Sequence, residues 1–386
     1  MVKLRPLARV LASTVTLLAV ASCAQREYPG GPSDTLGAEV VGAVSVGPNG
    51  WDAIGDKDRT RVFLFDAKGE VVSRLDGVAI ANNRLLVSRQ RLITVAGSSV
   101  TTLDGAGRFA VPIDAELIVQ AAANDPRTGA ATIWFNSGVI DDQYTNRYVS
   151  IGPDHTSRVG SVPGIVGSAG YCGDKHFAVV RQSYVGSSGA PTQQWLYAIP
   201  PNGDAVAVSE WRHDPGYRPI SSATCTDRGE MLVLYGSEEL ITNKSGGLSP
   251  TLVRIDTTNG SRTETPLDMP EYAWNTRPGA LTIVEDRLYW ITHENEVLSV
   301  GLDGSSKVNK EWRLPDLGEE TSASVAGNTV SAINHRGTPT FTQYDLRTGR
   351  IIRESVTLPW LEPLEGSVSD SGGTIYTIDA SVGMVS

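Results

Sequence analysis

The residues best equipped for chemistry are few and scattered. Five histidines (His155, His176, His213, His293 and His335) and three cysteines (Cys23, Cys172 and Cys225) form no metal-ligand spacing. No Gly-x-Ser-x-Gly elbow and no glycine-rich loop ending in Lys-Ser/Thr occurs. Paired acids in "IGDKD" (Ile54–Asp58) and "GVIDDQ" (Gly138–Gln143) lack the alternating oxygen ligands of a calcium loop, and read as solvated turns. No cofactor and no metal is expected. What remains is recognition chemistry. "YRPIS" (Tyr217–Ser221) and "TRPGA" (Thr276–Ala280) each set an arginine before a proline, which holds the arginine backbone extended. Arg218 and Arg277 are therefore candidates to face one opening. Near them in sequence or repeat position stand Tyr217, Tyr272 and Trp274 ("PEYAWNTR"), and Trp360 and Glu362 ("LPWLEPLE"). Guanidinium groups beside aromatic rings can grip a saccharide, a peptide or a carboxylate by stacking and bidentate hydrogen bonds. The competing reading is packing between structural units. Trp211 and Trp312, each in a repeated "EWR", read as framework.

Short strands must position these groups. Runs such as "RVFLF", "HFAVV", "EMLVLY", "RLYWIT" and "TIYTI" are separated by turn residues, and no long amphipathic helical pattern appears. The runs recur in order. "ALTIVEDRLYWIT" (Ala280–Thr292) matches "SASVAGNTVSAIN" (Ser322–Asn334) and "GVAIANNRLLVSR" (Gly77–Arg89), and less closely three further segments, as strand, tight turn and strand. A second hairpin follows in each unit, clearest in "FTQYDLRTGRIIRE" (Phe341–Glu354) and "LVRIDTTNGSRTE" (Leu252–Glu264). There Asp can accept bonds from turn amides and Gly supplies positive φ.

Four strands repeated every 40 to 55 residues define an all-β, seven-bladed β-propeller. Complete units run near 77–113, 115–163, 164–214, 218–270, 277–316 and 320–358. The seventh blade joins the second hairpin of Arg61–Leu75 to a first hairpin beginning near Glu365, which removes two open sheet edges. The third strand within "RQRLITVAGSSVTTLDGAGRF" cannot be assigned from pattern, and two β-sandwiches are the rival architecture. "DLRTGR" together with "GNTVSAINHRGTP" resembles the repeats of quinoprotein-like and YVTN-type bacterial propellers. That resemblance implies fold only. Quinone-binding members carry a recurring Trp after the Thr-Gly turn, which is missing here.

Cys172 ("YCGD") and Cys225 ("TCTD") fall at matching points of successive units, two residues before the Asp of the first turn. In a propeller these are the ends of neighbouring innermost strands. A disulfide is expected, with two buried thiols as the alternative.

Cys23 belongs elsewhere. Lys3, Arg5 and Arg9 precede an apolar run, Val10–Ser22, that is too short to span a bilayer and reads as a secretory signal. Val20-Ala21-Ser22-Cys23 resembles the lipobox of bacterial lipoproteins, which implies a diacylglycerol thioether on Cys23 and removal of residues 1–22. An ordinary signal cut at the same small residues is the alternative. Residues 23–38 then form a lipidated Cys and flexible linker, and 39–386 the propeller. Loss of three basic residues leaves 30 Lys+Arg against 43 Asp+Glu, a formal charge of −13, which argues against nucleic acid as partner.

The expected role is a lipid-anchored module on the extracytoplasmic face of the bacterial cell membrane, binding an envelope protein, peptide or saccharide. The alternative is a metal-assisted hydrolase or lactonase-like propeller enzyme. A structural subunit of an envelope assembly differs from the first reading only in its partner.

Overall fold

The computed structural model describes residues 28–384 apart from 49–58, 79, 81, 89, 97, 114–117, 141–142, 183–191, 202, 215, 238–249, 270–275, 316–321, 335–336 and 365–375. Strands fall into seven mainly antiparallel sheets, each built mainly from sequence neighbours. Five have the expected bounds, and a sixth, the first blade, begins later than expected. Their innermost strands begin at Leu86, Val119, Ile165, Tyr217, Thr276 and Ala323, and their outermost strands end at Pro112, Pro163, His213, Pro266, Arg313 and Thr357. These are the first to sixth blades. The innermost strands pack side by side around a closed ring, so the chain is a seven-bladed β-propeller.

The seventh blade closes the ring with strands from both chain ends, but not as two hairpins. Its innermost strand is Tyr376–Gly383, Gly42–Pro48, Arg59–Phe65 and Val71–Val78 follow, and Gly31–Pro32, within the stretch expected to be a flexible linker, adds a short parallel fifth strand at the outer edge. The segment "GAVSVGP" is thus a strand that the repeat pattern passes over. The register of the first blade shifts for the same reason. Gly77 and Val78 end the seventh blade, Leu86–Ser88 is innermost in the first, and Ser99–Asp104 is its third strand.

Each blade is covered on both faces, which explains why "RVFLF" is continuously apolar rather than alternating. Val62 and Leu64 pack toward the first blade, Phe63 and Phe65 toward the sixth. Seven apolar clusters fill the seven seams between blades. The turn between third and fourth strands behaves as its composition predicts. In the sixth blade Asp345 accepts bonds from the Thr348 amide (2.9 Å) and hydroxyl (2.7 Å), while Gly349 adopts φ 68°. A Cβ at Gly349 would lie 2.7 Å from the ring of Trp312, whose Nε1 donates to Leu346 O at 2.6 Å. Trp312 therefore clasps the fifth blade to the sixth. Trp211 lies under the Arg262 guanidinium, 4.6 Å from its centre, between the third and fourth blades.

Candidate functional site

The innermost strands and the residues beside them are rich in small side chains: Ala121–Ala123, Gly170, Ala223, Ser322–Ser324 and Ala380–Ser381. Short side chains cannot fill the axis, and a channel of about 1630 Å³ remains. We call the face on which innermost strands begin the upper face, and the opposite one the lower face.

Charge is unevenly placed along this channel. The turns that follow the innermost strands bring Asp125, Arg127, Asp227, Arg228, Glu285 and Asp286 to its lower end. Several are tied locally: Arg127 Nε lies 3.4 Å from Asp125, and Arg347 Nη1 lies 2.6 Å from Glu285. The upper end carries arginines at the start of innermost strands. Arg277 is buried and donates to Asn295 Oδ1 at 2.7 Å and His293 O at 3.2 Å. Burial lowers its pKa, partly offset by Glu294, and burial together with Arg277 also lowers that of His293. A side cavity of about 260 Å³ near the upper face is lined by Arg84 and Arg218 among others, and shares Arg84, Ala122 and Ser222 with the channel wall.

The backbone is irregular at this level. Gln120 falls between the partners of Trp134 and Phe135, and Gly167 is passed over between Val166 and Ser168. Pairing also breaks between Pro219 and Thr224, between Thr276 and Leu281, and at Asp379. Bulges therefore interrupt the innermost strands of five blades, and they re-aim backbone groups and side chains.

Cys172 and Cys225 are disulfide-bonded, with Cα atoms 5.3 Å apart, and both line the channel. The bridge staples the innermost strands of the third and fourth blades near their lower ends, as their matched positions predict.

The proposed rim of arginines and aromatics is only partly assembled. Arg277 lines the channel and Arg218 the side cavity. Tyr217 is instead buried in the seam between the third and fourth blades, with its ring centroid 4.7 Å from His213 and 5.5 Å from Tyr235. That burial raises its pKa to about 12. Trp360 packs 5.0 Å from Phe63 and donates from Nε1 to Gly69 O at 2.8 Å, at the seam of the sixth and seventh blades and off the channel wall. Glu362 is exposed beside it. The reason is area: the large apolar rings gain more from a seam than from a wet rim. Tyr272, Trp274, Cys23, His335, the acidic pair in "IGDKD" and Asp141–Asp142 lie outside the described residues. Arg84 and Ser168 also line the side cavity; Arg84 stands in the repeated segment Gly77–Arg89, but neither was singled out as a candidate.

Among the described residues no group of three or more His, Cys, Asp or Glu comes together as a metal-binding set. No family model matches the chain, and no curated protein matches it. Several solved structures align with it at low identity. A lignostilbene dioxygenase of Pseudomonas brassicacearum aligns at 12% identity and TM-score 0.46, over 84% of this chain and 92% of its own. The apo AztD of Citrobacter koseri aligns at 12% identity and TM-score 0.42, over 90% and 99%. The Glu150Asp mutant of Synechocystis apocarotenoid oxygenase aligns at 10% and TM-score 0.47, over 86% and 94%. The fold assignment rests on the sheet order, not on these likenesses.

Proposed function

We propose that this chain is a lipid-anchored, extracytoplasmic binding module of the bacterial cell envelope that takes its ligand or partner at the upper mouth of its axial channel. The observation that supports it best is the channel itself. Small residues on the innermost strands leave about 1630 Å³ of space, and bulged backbone and arginines meet at its upper end. Such a concave, partly polar surface on a rigid ring suits recognition. On this reading Cys23 carries the anchor and the residues before Tyr28 the tether, because Tyr28 to Leu36 is held on the propeller: Gly31–Pro32 pairs with Val71–Val78, and Leu36 N donates to Asp104 O at 2.9 Å. Two or more acyl chains at one residue give stable membrane attachment where a single chain would not.

The test uses the full chain in its own cells. Metabolic labelling with an alkyne fatty acid should mark the protein and hold it in the membrane fraction, and Cys23→Ala should abolish both. A photo-crosslinker placed at Thr282, on the channel wall, should trap a discrete species in intact cells, whereas one at exposed Ile351 on the outer edge should not. Unlabelled protein, or identical crosslinking from the two positions, would refute the proposal.

A further inference from the structure

The chain joins the propeller from outside, along the rim of the seventh blade. Gly31–Pro32 pairs in parallel with Ser73 and Arg74, so it lies radially beyond the blade's outermost long strand. Among the described residues no other blade carries a strand beyond its fourth. The pairing is pinned on both sides. Before it, Arg74 Nη1 donates to Tyr28 O at 2.7 Å and also to Gly30 O, and the Arg61 guanidinium lies 3.7 Å from the centre of the Tyr28 ring. That ring packs at the seam of the sixth and seventh blades. After it, Ser33 N donates to Arg74 O at 2.9 Å, and Leu36 N donates to Asp104 O on the first blade at 2.9 Å. The Leu36 side chain joins the seam of the first and seventh blades. Residues 28–36 thus form a strap across the outer edge of one blade, from one seam to the next. No strap residue lines the axial channel.

The length of chain before the strap gives this placement a consequence. Only four residues, 24–27, separate Cys23 from Tyr28. An extended chain gains at most about 3.6 Å per residue, so Cys23 lies within about 18 Å of Tyr28. A domain of this length is roughly 50 Å across. An anchor at Cys23 is therefore confined to the surroundings of one rim. A flexible leash running to residue 38 would instead let any side of the propeller turn to the bilayer.

We propose that the rim of the seventh blade, covered by the strap Tyr28–Leu36, is the membrane-facing surface of this protein, and that the propeller stands on it against the lipid headgroup layer. This rests on the reading that Cys23 carries the lipid anchor, and adds the orientation in which the anchor holds the ring. The strap exposes Gly31, Pro32, Asp34 and Thr35 and no large apolar side chain, which suits a polar headgroup layer and not the hydrocarbon beneath it. A ring lying flat would press one mouth of the channel against the bilayer. Standing on its rim, it leaves both mouths open to the surrounding compartment.

Energy transfer from the protein to a headgroup dye tests this. Lys68 and Thr258 are exposed and occupy the same turn of opposite blades, the seventh and the fourth, where Asp66 and Asp256 accept their amides at 2.9 and 2.8 Å. A ring lying flat holds the two at equal height, and a ring on its rim does not. The full lipid-bearing chain, labelled through an azide-bearing residue at one position or the other, is reconstituted in vesicles of phosphatidylethanolamine and phosphatidylglycerol. Transfer should be severalfold stronger from Lys68 than from Thr258. A flexible insert of about twenty Gly and Ser residues between Ala24 and Gln25 should abolish that difference, because it lengthens the tether and leaves the strap untouched. Equal transfer, stronger transfer from Thr258, or a difference that survives the insert would overturn the orientation while the anchor stands. A chain that carries no fatty acid at Cys23 would overturn both together.

Discussion

His176 should make this propeller sensitive to acid, and the size of the effect follows from its surroundings. It lies on the second strand of the third blade, 1% exposed, with its ring 5.7 Å from Trp134 and 5.0 Å from Tyr171. Neither ring nitrogen has a hydrogen-bond partner among the described residues. Burial alone pushes its pKa from 6.5 down to about 3. The unfolded chain therefore takes up a proton below about pH 6.5, while the folded one resists until about pH 3. Stability from this residue is complete above pH 6.5 and is lost as pH falls through that window. Each pKa unit is worth about 1.4 kcal/mol, so the loss at pH 5 is about 2 kcal/mol. His176→Phe preserves a flat ring in the seam and removes the proton site. Urea unfolding of both proteins from pH 7 to pH 5 should show the unaltered chain losing about 2 kcal/mol more than the variant. A packing change caused by Phe is the same at every pH and drops out of the comparison. Parallel curves would refute the reasoning, and would mean that the folded seam accepts the proton or admits water.

Three further outcomes are expected. Cys172→Ser/Cys225→Ser should cost roughly 4 kcal/mol of stability in the chain-entropy model for a loop of 53 residues, read as a lower urea midpoint that reductant no longer shifts. Gly349→Ala places a methyl group 2.7 Å from Trp312 at a positive φ, so it should cost about 1–3 kcal/mol and change the Trp312 fluorescence. Asp345→Ala removes the acceptor for Thr348, Arg347 and Asn328 and should cost roughly 1–2 kcal/mol, measured by thermal unfolding at neutral pH. Burial raises the Asp345 carboxyl, but bonds from Thr348 and Asn328 outweigh it and hold the group below its ordinary range. The gap between Asp345→Ala and the unaltered protein should accordingly shrink once pH falls below the usual value of 3.8.

The ring was legible because its turns are written locally. Asp256, Asp303 and Asp345 each close a third strand with a side-chain bond to a turn amide, and those residues mark the blades in sequence. The pairing of Cys172 with Cys225 followed from the same repeat. Gly42–Pro48 escaped notice because it is made of small residues and pairs with Tyr376–Gly383, more than 300 positions away. No local pattern carries that information. The aromatic rim failed for an energetic reason: Tyr217 and Trp360 bury in seams, where their rings gain most. The side cavity was hidden because Arg84, Ser168 and Arg218 meet only through the geometry of three blades.

Closure of the seventh blade sets an order of events. Its four other strands come from the first eighty residues, but the strand that seals the ring is the last described element of the chain. Until Tyr376–Gly383 is synthesised, Gly42–Pro48 has a bare edge and the first and sixth blades lack a finished neighbour. A nascent chain halted before Tyr376 should thus stay open to protease, and resistance should appear only after release. Ring closure is therefore withheld until Tyr376–Gly383 is available to pair with Gly42–Pro48.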